Sequence, residues 1–439
     1  MYSLGDKYDV PGLKKEAARR FDKDVEIPGD TKCKETLTLL SVVPHIYATT
    51  PDSDRGLRDL VVRHVFQRAG QRGFAPSEKR ETMLGETSDA SDGRVGGIFY
   101  DTETQDVGVD AEDCEDSIDR FCVMQEAFGR TVIITGANTG LGFEAAKHYA
   151  RLDVTHLILG CRDVAKGEKA KRTILASTLR SSTPPKVEVW PIDMAEYSSV
   201  LAFGDRACST LSHLDAVVLN AGVSLNKFEL AEGIERTLTI NVISTFLLAQ
   251  LVLPKLRETG RTQATDTHLT IVGSMIHIFA KTQQLCDAKS GEILRMLSDP
   301  AQADMANRYF LSKLLVILGV RDLAAKTNAS AEEKWSTVVN CVNPGWCKTE
   351  LFRHEDLGLG ARAMLRLIGR TGEEGSRTLV HASSAGNVTH GRYLSECQIK
   401  PESQWVTSEA GQNVQERFAG ELQRALEEIQ QARKSSLDL

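Results

Sequence analysis

The pattern of apolar and polar positions divides the chain into three stretches, 1–74, 75–127 and 128–439. In the first, Tyr8, Val10, Leu13, Ala17 and Phe21 recur at helical spacing and predict a helix pair interrupted by Pro11. Leu57, Leu60, Val61, Val65 and Phe66 make the stripe of a second helix, Asp54–Gln71, opened by Thr50-Pro51-Asp52 with Asp52 or Ser53 near its cap. Periodicity then disappears. SEKRETMLGETSDASDGRVGG and DTETQDVGVDAEDCEDSID hold too few apolar residues to offset the entropy of ordering, which predicts a flexible acidic linker. Ile98, Phe99 and Tyr100 form a small apolar island within it, and a short helix, Ser117–Phe128, leads out of it.

From residue 128 short β-branched runs alternate with helical stretches. The predicted strands are Thr131–Thr135, Thr155–Gly160, Lys186–Ile192, Ala216–Leu219, His268–Gly273, Thr337–Val342 and a short one near Tyr393. Alternation at this spacing implies an α/β fold: a doubly wound parallel sheet, of the Rossmann type, covered by helices on both faces. Ligands of such sheets bind at the carboxyl ends of the strands. A terminal helix, Asn413–Arg433, carries Phe418, Leu422, Leu426 and Ile429 on one stripe. That stripe could pack on the domain or on a partner.

The polar motifs fall at those strand ends. After Val132-Ile133-Ile134 the chain turns through Gly136, Gly140 and Gly142 into a helix. Glycine there lets the backbone approach a ligand, and the helix N-terminus favours an anion such as a pyrophosphate. The second strand ends in Gly160-Cys161-Arg162, where an acidic residue would select NAD by accepting from the ribose 2′-OH. Arg162 offers a cation to a 2′-phosphate instead, favouring NADP by roughly tenfold to a hundredfold. The third strand's end places Asp193 beside the adenine, and Asn220-Ala221-Gly222 at the end of the fourth lets a ribose lie against the backbone.

Tyr309 and Lys313 stand four apart in RYFLSKLLVILGV and share a helix face. An ammonium beside a phenol lowers its pKa toward the range useful for proton transfer. Ser274 ends the fifth strand and can donate to a carbonyl oxygen. Asn241 lies on the helix after the fourth strand, where an asparagine ordinarily bonds to its own turn.

TGANTGLG, CRD, NAG, NVIST, VGS, YFLSK and NPGWCKTEL occur in that order from about Phe128 to Gln415. With these the chain resembles the short-chain dehydrogenase/reductase family, and within it the retinol-dehydrogenase-like and WW-domain-oxidoreductase-like enzymes of fungi. The resemblance implies that Thr135, Gly136, Gly140, Leu141 and Gly142 wrap the pyrophosphate side of the cofactor. Asn220 and Gly222 would border its adenosine ribose, and Pro344, Gly345 and Thr349 its nicotinamide end. Tyr309 would be the general acid or base, and Lys313 the ligand of the nicotinamide ribose. Ser274 would polarise the substrate oxygen, and Asn241 would hold a water of the proton relay. Two departures stand out: Gly273 precedes the serine where another serine is frequent, and Met275–Arg308 is a long insertion between Ser274 and Tyr309. LGDKYDVPGLKKEAARRF and YATTPDSDRGLRDLVV resemble the C-terminal half of a fungal BTB/POZ-type domain, a family that mediates protein–protein contacts.

Leu351, Phe352, Leu357, Leu359, Met364, Leu365, Leu367 and Ile368 make the segment after Thr349 strongly apolar. It reads equally as a lid over a hydrophobic carbonyl or alcohol and as the core face of a surface helix. The net charge of −7 excludes a general nucleic-acid surface and a polybasic membrane patch. TFLLAQLVL and LLVILGV are too short to span a bilayer, and MYSLGDKYDV lacks the pattern of a signal peptide. Nine cysteines without a Cys-x-x-Cys pair predict free thiols, no metal site and a reducing, cytoplasmic setting. The expectation is an NADP-dependent oxidoreductase of a hydrophobic small molecule. The competing reading is a regulatory scaffold that binds a protein partner through the N-terminal helices. A homo-oligomer is compatible with either.

Overall fold

Thr131–Thr135 (β1) is buried at all five positions, as a β-branched run must be when helices cover both faces of its sheet. In the computed structural model, residues 129–178, 184–327, 335–348 and 370–437 are described. The expected N-terminal helices, acidic linker, helix Ser117–Phe128, apolar segment 351–368 and Thr349 lie outside the described residues.

The other strands are β2 (His156–Cys161), β3 (Lys186–Pro191), β4 (Ala216–Leu219), β5 (Leu230–Ala231), β6 (Ile234–Glu235), β7 (Thr267–Val272), β8 (Thr337–Asn343), β9 (Tyr393–Ser395) and β10 (Gln398–Ile399). Eight of them form one sheet in the order β10-β9-β8-β7-β4-β1-β2-β3; β5 and β6 pair separately. Neighbours from β9 to β3 run parallel, and β10 turns back antiparallel on β9. Strand order reverses beside β1: the chain moves outward through β2 and β3, then returns to β4 on the other side. The crevice between the carboxyl ends of β1 and β4 is therefore where this architecture binds ligands.

Alternate side chains sort to opposite faces of the sheet. Ile133, Ile158, Val217 and Leu269 pack with helices α3 (Tyr197–Thr210), α4 (Ser244–Gln263), α5 (Met305–Thr327) and α7 (Glu409–Leu437). Val132, Ile134, Leu157 and Val218 pack with α1 (Gly140–Arg151), α2 (Val164–Ser177) and α6 (Gly372–Ala382). Phe418, Leu422 and Leu426 join the first core, so the stripe of the terminal helix packs on its own domain.

Arg236–Gln263 is helical throughout and, by length and composition alone, is long and apolar enough to cross a membrane, but it is a core helix. The π-helical turn Thr239–Ile243 joins a one-turn helix, Arg236–Leu238, to α4, and 83% of its apolar window is buried inside the protein. Cys397 is disulfide-bonded, whereas Cys161, Cys208, Cys286, Cys341 and Cys347 are free as expected. The expectation of free thiols therefore needs correction at Cys397.

Candidate active site

The glycine turn after β1 is built by contact rather than by flexibility alone. Gly136 and Gly140 adopt φ of +67° and +58°, the left-handed region that glycine tolerates. A Cβ on Gly142 would stand 2.5 Å from the Gly136 carbonyl oxygen and 2.6 Å from Asn220 Nδ2, so only glycine fits there. The Thr135 hydroxyl accepts from the backbone N–H groups of Asn220 and Ala221, each at 3.0 Å. Asn220 Nδ2 in turn donates to the Thr135 carbonyl at 2.9 Å. These bonds lock the ends of β1 and β4 together across the crevice.

Thr139 precedes α1 without a side-chain cap, so the first N–H groups of that helix stay available to an anion. This uncapped terminus and the glycine floor fit a dinucleotide pyrophosphate. Leu141 and the Pro344 carbonyl flank the same spot: a Cβ on Gly375 would lie 3.0 Å from each. Gly345 takes φ +83° beside Arg370, which pairs with Glu396 at 2.6 Å.

Arg162 is exposed beyond the end of β2 and makes no ion pair among the described residues. Cys161 beneath it is buried, which pushes its thiol up to about 11 and keeps it protonated. Asp193 follows β3, where one carboxylate oxygen accepts from the Ala195 N–H at 2.9 Å and so serves its own turn.

Gly222, Asn241, Tyr309 and Lys313 converge. A Cβ on Gly222 would sit 3.2 Å from Asn241 Oδ1 and 3.8 Å from Lys313 Nζ. Lys313 Nζ lies 5.8 Å from the centre of the Tyr309 ring and donates to the Val272 carbonyl at 2.8 Å. Both side chains are buried. Burial pushes the Lys313 pKa down to about 8, with the neighbouring Cys341 acting in the opposite sense. The amine therefore stays mostly charged at neutral pH.

Asn241 does not bond to its own turn. Its Oδ1 accepts from Val223 N at 2.9 Å, and its Nδ2 donates to Val223 O at 2.9 Å and to Ser312 Oγ at 3.0 Å. The wide turn Thr239–Ile243 brings the side chain to these partners. Sequence reasoning gave Ser312 no part here, and its place beside Lys313 is the only signal for it.

Ser274 follows β7 and caps the 3-10 turn Met275–Phe279, which packs on α5. Four further residues hold this corner. Asn343 Oδ1 accepts from Met275 N at 3.1 Å, and its amide donates to Ser395 Oγ at 3.0 Å. Ser403 N donates to His277 Nε2 at 3.1 Å, so the ring proton sits on Nδ1 and goes to the Ser274 carbonyl at 2.8 Å. His277 is buried and held neutral, below its ordinary pKa, by desolvation.

The sequence profile of the short chain dehydrogenase family matches residues 130–265. The short chain dehydrogenase/reductase dmxR8 of Cryptosporiopsis sp. is 41% identical over 303 residues, which cover 69% of this chain and 91% of that protein. The short chain dehydrogenase atnD of Emericella nidulans is 41% identical over 269 residues, 60% of this chain and 82% of its own. A solved structure, 3-ketoacyl-(acyl-carrier-protein) reductase from Brucella melitensis complexed with NADH, aligns at 20% identity and a TM-score of 0.45, covering 61% of this chain and 96% of that one. The chain belongs to the short-chain dehydrogenase/reductase family, and it is an oxidoreductase with fungal relatives.

Proposed function

We propose that this oxidoreductase uses NADP(H) to interconvert a hydrophobic carbonyl and its alcohol, with Tyr309, Lys313, Ser274 and Asn241 as its acid–base set. The observation that carries the proposal is the buried Lys313 ammonium beside both Tyr309 and Gly222. When bound, the nicotinamide supplies or accepts the hydride. Tyr309 gives a proton to the substrate oxygen in reduction and removes one in oxidation. A cation held close to a phenol favours its phenolate form, which aids the proton transfer. One of the three Lys313 N–H bonds goes to Val272, leaving two for ribose hydroxyls or water. Ser274 orients the substrate oxygen by donating to it. Asn241 fixes the backbone under Gly222 and keeps a lone pair on Oδ1 for a relay water.

Arg162 supports NADP, because its charge has no partner among the described residues and stands where the adenosine ribose of a dinucleotide would end. The hydrophobic substrate class rests on the apolar residues between Leu351 and Ile368. The test is Tyr309→Phe. Turnover should fall about 10²–10⁴-fold while NADPH still binds, and unchanged turnover would remove the mechanism.

A further inference from the structure

Before α5 begins at Met305, the insertion between Ser274 and Tyr309 has only short pieces of secondary structure: the 3-10 turn Met275–Phe279 and two five-residue helices, Gln283–Asp287 and Ile293–Leu297. Helices this short leave most of their backbone groups without internal partners, so something outside must satisfy them. Two residues of α7 do so. Glu421 is buried, and its carboxylate accepts from Ile293 N and Leu294 N, both at 2.9 Å. One turn earlier, Arg417 donates to the carbonyls of Leu285, at 3.0 Å, and Ala288. An anion thus meets the positive end of one short helix, and a cation meets the negative end of the other.

The far end of the insertion is fastened as well. Arg308, adjacent to Tyr309, donates to the Leu297 carbonyl at 2.6 Å. The near end is tied through His277, which spans the Ser274 carbonyl and the Ser403 N–H. Leu285, Ala288, Ile293, Leu294 and Leu297 are buried in one core with Phe418 and Leu422. The segment that joins the two expected catalytic side chains is consequently shaped by a helix more than a hundred residues away along the chain.

We propose that Arg417 and Glu421 are positioning residues for the substrate side of the active site: together they set the path of the insertion, and through it the placement of Ser274 relative to Tyr309. This rests on the reading of Ser274 and Tyr309 as catalytic. The cofactor crevice between β1 and β4 makes none of these contacts, so substrate binding and cofactor binding should separate.

The experiment compares the full-length protein with Glu421→Gln, which keeps the shape but turns an amide N–H toward a backbone donor. Amide exchange is followed in peptides spanning Ile293–Leu297 and Met275–Phe279. NADPH affinity is measured by fluorescence, and KM and kcat with decanal as the probe. The expected result is at least tenfold faster exchange in both peptides and a fivefold or larger rise in KM for decanal, with NADPH affinity within twofold of wild type. Faster exchange at Ile293–Leu297 with unchanged exchange at Met275–Phe279 would overturn the proposal, as would no change in either. If the wild type does not reduce decanal, the substrate reading fails separately, and exchange at Met275–Phe279 alone decides. Arg417→Lys, which keeps the charge and loses the fork, gives the same readouts should the glutamine variant not fold.

Discussion

Lys313 donates to the backbone carbonyl of Val272 at 2.8 Å, which ties the middle of α5 to the last residue of β7. Ser274 follows that strand by two residues and Tyr309 precedes the lysine by one helical turn, so a single bond sets the two elements' relative height. The burial that makes the bond strong also penalises the charge that makes it useful.

That penalty predicts a pH dependence of stability. The Lys313 pKa falls to about 8 in the folded protein, below the ordinary lysine value. Below about pH 8 both folded and unfolded chains carry the proton, and the full cost of the buried charge is present. Between about 8 and 10.4 only the unfolded chain still binds it, so stability rises with pH. Lys313→Met should abolish that rise, a difference of about 3 kcal/mol across the window. Urea unfolding of the two proteins at pH 7 and pH 10 measures it, with Cys341→Ala in both backgrounds to remove the thiol that interacts with Lys313.

Gly142→Ala places a methyl group against the Gly136 carbonyl and the Asn220 amide. Forcing the turn open should cost about 1–3 kcal/mol of stability and weaken NADPH binding by at least tenfold. Urea unfolding measures the first effect and calorimetric titration with NADPH the second, each against the wild type. Binding as tight as wild type would mean that the glycine floor does not hold the cofactor.

Arg162→Asp replaces the exposed cation after β2 with an acceptor. The ratio of kcat/KM for NADPH over NADH should drop by roughly tenfold to a hundredfold. A ratio that does not move would count against a phosphate contact at this residue.

Arg308 and Glu235 form an ion pair at 3.4 Å with neither side chain exposed. Glu235 also accepts from Thr237 N at 2.9 Å and Leu238 N at 3.3 Å, which starts the helix leading to Asn241. Arg308→Met strands the carboxylate and should cost about 3–5 kcal/mol. Adding Glu235→Gln to it should recover much of that loss, because the buried charge then disappears. Denaturation midpoints of both single variants and the double variant reveal the coupling.

Much of the sheet was legible because burial writes itself into β-branched runs. Thr131–Thr135 and Ala216–Leu219 have the expected boundaries, and the other predicted strands shift by about a residue. The β5–β6 pair and β10 escaped notice, since two-residue strands have no period to detect. The terminal helix extends from Glu409 to Leu437 rather than from Asn413 to Arg433, because its ends are polar and add nothing to the apolar stripe. Of the candidate site, the glycine turn and the Tyr309–Lys313 spacing carry their geometry in their own positions. The partners of Asn241 do not: Val223 and Ser312 lie 18 and 71 residues away, and a local turn is what a single sequence suggests. His277 and Asn343 are likewise defined by long-range backbone contacts that no short motif encodes.

The helix that braces the insertion is made late in synthesis. A nascent chain that has completed β8 already holds every strand lining the crevice between β1 and β4, yet lacks Arg417 and Glu421. Premature termination after that point would leave the Ser274–Tyr309 segment unsupported and strip α6 and α7 from the two faces of the sheet.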